Sequence, residues 1–176
     1  MIVEDKNFLT QNQKDFISNV VCGDNFPFYL QEESTIGASS PLLTHNLIHR
    51  PEVRKDKYWN SNYHRDDFTD ILKTFCIKHS LPFNEILRLC VNFSFNNGQD
   101  KCPLHIDHPE IKHNQLLVYC NDVLDKNSKT VICNKNKKKI KEVIPEIYKG
   151  VYFEENPHYH YFPKKGHRIV LVYTWI

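Results

Sequence analysis

Residues 92–110 read NFSFNNGQDKCPLHIDHPE. A β-rich run enters a loop at Asn97-Gly98, and His105, Asp107 and His108 then fall within four positions. Alternate residues of an extended chain share a face, so His105 and Asp107 point the same way. That is two thirds of a metal site or an ordinary polar turn. The chain holds 10 His and 11 Asp, so roughly 0.6 His-x-Asp triplets are expected from composition alone. Two occur, at His105–Asp107 and at His64–Asp66. Context must separate them. The second triplet lies where a helix is expected to begin, with Asp66 or Asp67 as its cap. The first lies inside the β-rich half of the chain.

Working outward, ILRLCVNFSF (86–95), LLVYC (116–120), TVIC (130–133), GVYF (150–153) and RIVLVYTW (168–175) read as strands. Asn, Asp, Gly, Pro and Lys separate them. The N-terminal half differs. Thr10 and Gln13 form a capping-box pattern, and Phe16, Ile17, Val20 and Val21 fall on one helical face. FPFYLQ (26–31) reads as a short strand. Residues 33–65 read as irregular and polar, with an apolar island at PLLTHNLIH (41–49), a pattern that suits a long functional loop with short strands in it. Phe68, Ile71, Leu72 and Phe75 give a second helix its buried face. Helices first and many short strands later predict a mainly β sandwich or barrel with flanking helices. The expected organisation is one domain, with helices and a lid-like segment over 1–81 and the β core over 82–176.

Composition excludes several classes. Hydrophobic content is 40%, charged content 25% and net charge +2, which places the chain among globular proteins. Bulk electrostatics gives no reason to expect nucleic acid or membrane partners. No signal peptide or membrane span is visible, so a cytoplasmic setting is expected. The six cysteines (Cys22, Cys76, Cys90, Cys102, Cys120 and Cys133) form no C-x-x-C pair. They read as reduced, buried thiols.

Two ligands do not hold a reactive metal, whereas two histidines and a carboxylate hold one and leave neighbouring positions open. The second histidine is expected from His158 or His160, which share a strand face, so periodicity does not separate them. His167 begins the final strand beside Arg168 and ranks lower. The Asn156-Pro157 context and the spacing to Arg168 favour His158. A zinc or manganese cupin site would draw more histidines and a glutamate from two spaced motifs, and that pattern is not visible.

With these residues in order, roughly the half of the chain from 85 to 175 resembles the Fe(II)/2-oxoglutarate-dependent oxygenases, and most closely their prolyl-hydroxylase branch. The resemblance rests on Asn92-Phe93 before the Gly98 loop, on His105-Ile106-Asp107, and on Tyr119-Cys120-Asn121. Asn156-Pro157-His158, Pro163 and Arg168 complete it. It implies a double-stranded β-helix (jelly-roll) core. It implies Fe(II) held by His105, Asp107 and His158, with 2-oxoglutarate as cosubstrate and O2 as oxidant. Arg168, helped by Tyr119, would bind the distal carboxylate of the cosubstrate. Residue chemistry agrees, since Arg168 lies in an apolar strand on the face of Val170, Val172 and Thr174. A buried cation there needs an anionic partner.

The chain departs from the family at Phe95, where some relatives place a tyrosine, and at Val170, where Ser or Thr is common. The sequence ends at Ile176, so the substrate wall is expected from elsewhere in the chain. The resemblance implies a dioxygenase that hydroxylates a peptidyl or protein side chain such as proline. A small metabolite or a nucleobase would fit the same metal site, and a non-catalytic jelly roll that binds metal or a small acid is the alternative of a different class. The Asn134–Lys139 run lacks interleaved aromatics and reads as a solvated hairpin turn rather than a nucleic-acid surface. His108 and His113 are expected as exposed loop residues, with a substrate-facing position as the alternative for His108. Tyr58, Trp59 and Tyr63 suit either a substrate lid or a cover for the barrel edge.

Overall fold

The computed structural model describes residues 1–35, 38–52 and 63–176. Tyr58 and Trp59 lie outside these residues. The architecture is mainly antiparallel β with two short helices, a jelly roll, as the sequence predicts. The chain opens with β1 (Ile2–Asp5), α1 (Gln11–Phe16) and a π-helical turn (Ile17–Val21). It continues through β2 (Tyr29–Thr35), β3 (Ala38–Ile48), α2 (Arg65–Lys78), β4 (Ile86–Phe95) and β5 (Asn114–Tyr119). β6 (Thr130–Cys133), β7 (Lys139–Val143), β8 (Gly150–Glu154), β9 (His158–His160) and β10 (His167–Trp175) complete it. The large sheet has the order β1-β8-β5-β10-β4-β3-β2, and the small sheet β7-β6-β9.

Side-chain alternation divides the large sheet into two faces. Ile169, Leu171, Tyr173 and Trp175 of β10, with Leu116 and Val118 of β5 and Leu89 and Val91 of β4, bury one face. Against it lie Phe68, Ile71, Leu72 and Phe75 of α2, one helical stripe. The Tyr173 hydroxyl also donates to the Phe68 carbonyl at 2.9 Å, which fixes the helix to the sheet. The opposite face carries Val170, Val172, Leu117, Tyr119 and Cys90, and packs on Ile132 and Val143 of the small sheet. The same parity turns Arg88, Gln115 and Arg168 toward the space between the sheets. Phe75 meets Phe8 edge to face at 5.0 Å, and both rings crowd the α-carbon of Gly150, where an added Cβ would stand 2.7 Å from Phe8.

Several expectations change. The capping box at Thr10 forms with both of its hydrogen bonds. The second helix, however, starts at Arg65 with His64 as N-cap in a left-handed conformation, φ 48°. Asp66 and Asp67 therefore sit in its first turn, where carboxylates oppose the helix dipole instead of capping it. Residues read as irregular contain β3, an 11-residue strand whose mixed composition hides its pairing with β2 and β4. β1 pairs with β8 at one edge of the large sheet, which its polar surroundings did not reveal. The Lys run turns between β6 and β7 as expected, with the Lys137 amide donating to the Asn134 carbonyl at 2.8 Å. All six cysteines are free, and all but Cys22 are buried.

Phe75 is fully buried at the junction of helix, sheet and N-terminal segment. Phe75→Ala is expected to lower unfolding stability by about 3–5 kcal/mol, read as a drop in urea midpoint at unchanged slope.

Candidate metal centre

The segment before HIDH runs antiparallel to β9 through two bridges, Lys101 with Tyr161 and His105 with His158. The His105 amide donates to the His158 carbonyl at 3.1 Å, and the His158 amide returns a bond of 2.9 Å to the His105 carbonyl. The two imidazoles are thereby brought to 4.4 Å between centroids. Each ring is oriented by its own backbone. His105 Nδ1 donates to the Pro103 carbonyl at 2.9 Å, and His158 Nδ1 to the Asn156 carbonyl at 3.1 Å. A carbonyl only accepts, so both Nδ1 atoms carry the proton and both Nε2 atoms offer a lone pair. Asp107 completes the group: one ligand atom from each of His105, Asp107 and His158 lies within 4.8 Å of the others. Asp107 Oδ2 is 3.8 Å from His158 Nε2.

Protonation states suit a cation. Burial, reinforced by His105, pushes the His158 imidazole down to about 3. Burial lowers His105 as well, against the pull of Asp107. Burial alone would raise the Asp107 carboxyl, but Arg88 and Arg50 outweigh it and hold the group well below the usual carboxylate range. Two neutral histidines and one carboxylate are thus ready at neutral pH, without the proton loss that metal binding otherwise requires.

The carboxylate is held by residues that sequence reasoning missed. Arg50 and Arg88 both donate to Asp107 Oδ1, at 2.6 Å and 2.7 Å. Gln115 Nε2 donates to Oδ2 at 2.6 Å. Arg88 was legible in principle, as a cation inside the apolar run ILRLCV on the inward parity. Gln115 shares the parity of Tyr119. Arg50 carries no signal in the sequence. His108 and His113 are corrected: both are buried, not exposed. His108 Nδ1 donates to Glu52 at 2.9 Å and its Nε2 meets the Thr174 hydroxyl at 2.7 Å. Arg50 and Glu52 thereby strap one stretch of chain across HIDH.

Arg168 faces the same cavity as the triad, together with Thr130, His160, Val170 and Val172. Its Nη2 donates to Thr130 Oγ1 at 2.9 Å, and its guanidinium stands 5.2 Å from the Tyr119 ring centroid. The Tyr119 hydroxyl is 2.8 Å from the same Thr130 oxygen, so it reaches Arg168 through Thr130. Arg168 is 3% exposed. Among the described residues no carboxylate lies within ion-pair distance of it, and its Nε has no partner. A buried guanidinium in that state fits an anionic ligand. Phe95 pairs with His167 at the sheet margin and does not line the cavity. Tyr63 stacks on the buried His45 at 5.9 Å, and neither residue lines the cavity.

No protein-family model matches the chain, and no curated protein matches it. Solved structures do. An oxidoreductase of the 2OG-Fe(II) oxygenase family from Burkholderia pseudomallei superposes with a TM-score of 0.67 at 11% identity, over 93% of this chain and 89% of that one. A Pseudomonas putida prolyl-4-hydroxylase superposes at 0.61 and 10% identity, over 99% and 91%. A Trichoplax adhaerens prolyl hydroxylase, in complex with a hypoxia-inducible-factor oxygen-degradation-domain peptide, superposes at 0.64 and 13% identity, over 99% and 83%. At such identities the likeness establishes the fold, and no membrane-spanning helix is found among the described residues.

Asp107→Asn would leave the buried Arg88 guanidinium, and the half-buried Arg50 beside it, without this counter-charge. The variant is expected to lose about 3–5 kcal/mol of stability at neutral pH. The folded carboxyl titrates below its unfolded value, so its contribution is present above about pH 4 and is lost in stronger acid. Denaturation of wild type and variant from pH 8 downward should therefore show a constant gap that closes only below that point.

Proposed function

We propose that this chain is an Fe(II)- and 2-oxoglutarate-dependent dioxygenase that hydroxylates its substrate. The observation that carries this reading is the pairing, in one cavity, of the His105–Asp107–His158 triad with Arg168, a buried cation with no anionic partner among the described residues. The donor set suits Fe(II), since two imidazoles and one carboxylate on one side leave positions for a chelating acid and O2. Bound there, iron supplies the oxidising chemistry, in which oxidative decarboxylation of the oxo acid is coupled to hydroxylation of a C–H bond.

The chain's own residues do the positioning. Pro103 and Asn156 fix the two imidazoles through their carbonyls, and Arg50, Arg88 and Gln115 fix the carboxylate. Arg168 receives the distal carboxylate of the cosubstrate, where its planar fork can bond both oxygens. Tyr119 braces Thr130, and Thr130 braces Arg168. Val170, Val172 and Leu117 give that end of the cavity apolar walls, which strengthen its electrostatics by excluding water. No side-chain acid or base is needed for hydrogen abstraction. For substrate, we favour a peptidyl or protein side chain such as proline, because prolyl hydroxylases are among the structural neighbours and one of them is bound to a peptide.

The test is an anaerobic titration of purified apo-protein with Fe(II) and 2-oxoglutarate, followed by the visible metal-to-ligand charge-transfer band. Wild type is expected to develop the band. His105→Ala should give none, and Arg168→Ala should need at least about tenfold more cosubstrate while binding iron normally. A folded wild type with no band, or a His105→Ala variant that binds iron normally, would overturn the reading and favour a binding module.

A further inference from the structure

His160 is left unused by the triad, yet it lines the same cavity, and although the residue is only half-buried its Nε2 is buried and unpartnered. We propose that His160 is a second hydrogen-bond donor to the distal carboxylate of the oxo acid, beside Arg168. This rests on the function proposed above and assigns a residue that the sequence pattern leaves open.

Three observations carry it. The first is register. His160 of β9 lies directly opposite Thr130 of β6, and residues facing each other across an antiparallel ladder project to the same side at close range. Thr130 is the residue whose hydroxyl receives Arg168 Nη2. His160 and the Arg168 guanidinium therefore flank one threonine.

The second is the tautomer. The His160 backbone amide donates to Cys102 Sγ at 3.2 Å, and the same sulfur lies 3.2 Å from His160 Nδ1. Burial keeps the Cys102 thiol protonated, at about 11. With the sulfur already accepting from the amide, the thiol proton goes to Nδ1. The ring hydrogen is then on Nε2, assigned from the network of partners.

The third is the tally of unmet donors. Nε2–H of His160 and Nε–H of Arg168 are both buried without an acceptor, and native structures rarely leave such groups unpaired. A carboxylate offers two oxygens and about four lone-pair positions, so one anionic group can serve both residues. His160 also stands outside the group of ligand atoms formed by His105, Asp107 and His158. It supplies a donor in a chain that has apolar residues at Phe95 and Val170.

The experiment uses protein loaded with redox-inert Zn(II), titrated calorimetrically with 2-oxoglutarate and with 2-oxobutyrate, which lacks the distal carboxylate. His160→Val is expected to weaken 2-oxoglutarate about tenfold or more, to leave 2-oxobutyrate unchanged and to keep one zinc. His160→Gln, which retains a donor, should recover part of the loss. In wild type labelled with 15N-histidine, the ring resonance missing from His160→Gln should read as an Nε2–H tautomer, and its proton should move downfield when 2-oxoglutarate binds. This measurement holds even where His160→Val does not fold. Unchanged 2-oxoglutarate affinity in His160→Val, loss of its zinc, or a His160 resonance that ignores 2-oxoglutarate would overturn the proposal. Arg168→Met separates the two levels. If it weakens 2-oxoglutarate while His160→Val does not, only the role of His160 fails. If Arg168→Met also binds 2-oxoglutarate normally, the cosubstrate site itself is misplaced.

Discussion

One buried carboxylate organises this protein. Asp107 accepts from Arg50, Arg88 and Gln115, three side chains that come from the end of β3, the start of β4 and the start of β5. The buried Arg88 guanidinium, with the half-buried Arg50 beside it, is tolerable only with a counter-charge in contact. Asp107 is that charge, and it is also the centre of the triad. The bond that closes this end of the jelly roll is therefore the bond that fixes the carboxylate's orientation. Oδ1 is taken up by the two arginines, whereas Oδ2, which faces His158, accepts only from Gln115 among these three and keeps a lone pair for a cation. A looser carboxylate could rotate and present either oxygen, and the site would lose definition.

The histidines are held by a different device. Their separation is set by a backbone bridge, and their tautomers by backbone carbonyls. Neither depends on side-chain partners elsewhere, so a substitution in the surrounding shell can disturb the carboxylate without moving the imidazoles. Strand parity then does the sorting. In β4, β5 and β10 one parity feeds the helix-packed core and the other feeds the cavity. A one-residue slip would put Arg168, Gln115 and Arg88 into apolar packing against α2, so the register of the sheet and the composition of the site are one constraint.

The legible part of the sequence was the part in which chemistry and period agree. His105 and Asp107 are two apart in a β context, Arg168 is a lone cation on an inward parity, and α2 shows its stripe at Phe68, Ile71, Leu72 and Phe75. Arg88 obeys the same rule as Arg168 and could have been found by it. The illegible part depends on contacts distant in sequence. Arg50 reaches Asp107 across 57 positions. His108 looked exposed because its burial comes from Glu52 and Thr174, neither of them its neighbour in the chain. β3 escaped because Ser, Thr, His and Asn interrupt its apolar residues, and its strand state derives from two flanking partners rather than from propensity. His64, in a left-handed conformation, takes the cap position two or three residues before the expected Asp66 or Asp67.

The charge of the cavity bears on how its two occupants relate. Among the described residues its lining includes Arg50, Arg88 and Arg168 against Asp107 as the sole carboxylate, with His105 and His158 held neutral by burial. The protein thus presents an excess of positive charge at the place where the proposed function puts a dication. Asp107 offsets its two arginines only in part, and Arg168 has no offset from the described residues. A dicarboxylate bound as proposed, with its distal group at Arg168 and its other end toward the triad, would remove that excess at its source. Each occupant then lowers the electrostatic cost of the other, and by linkage the benefit is mutual. A metal and a dianionic oxo acid together would balance this charge more fully than the metal does alone.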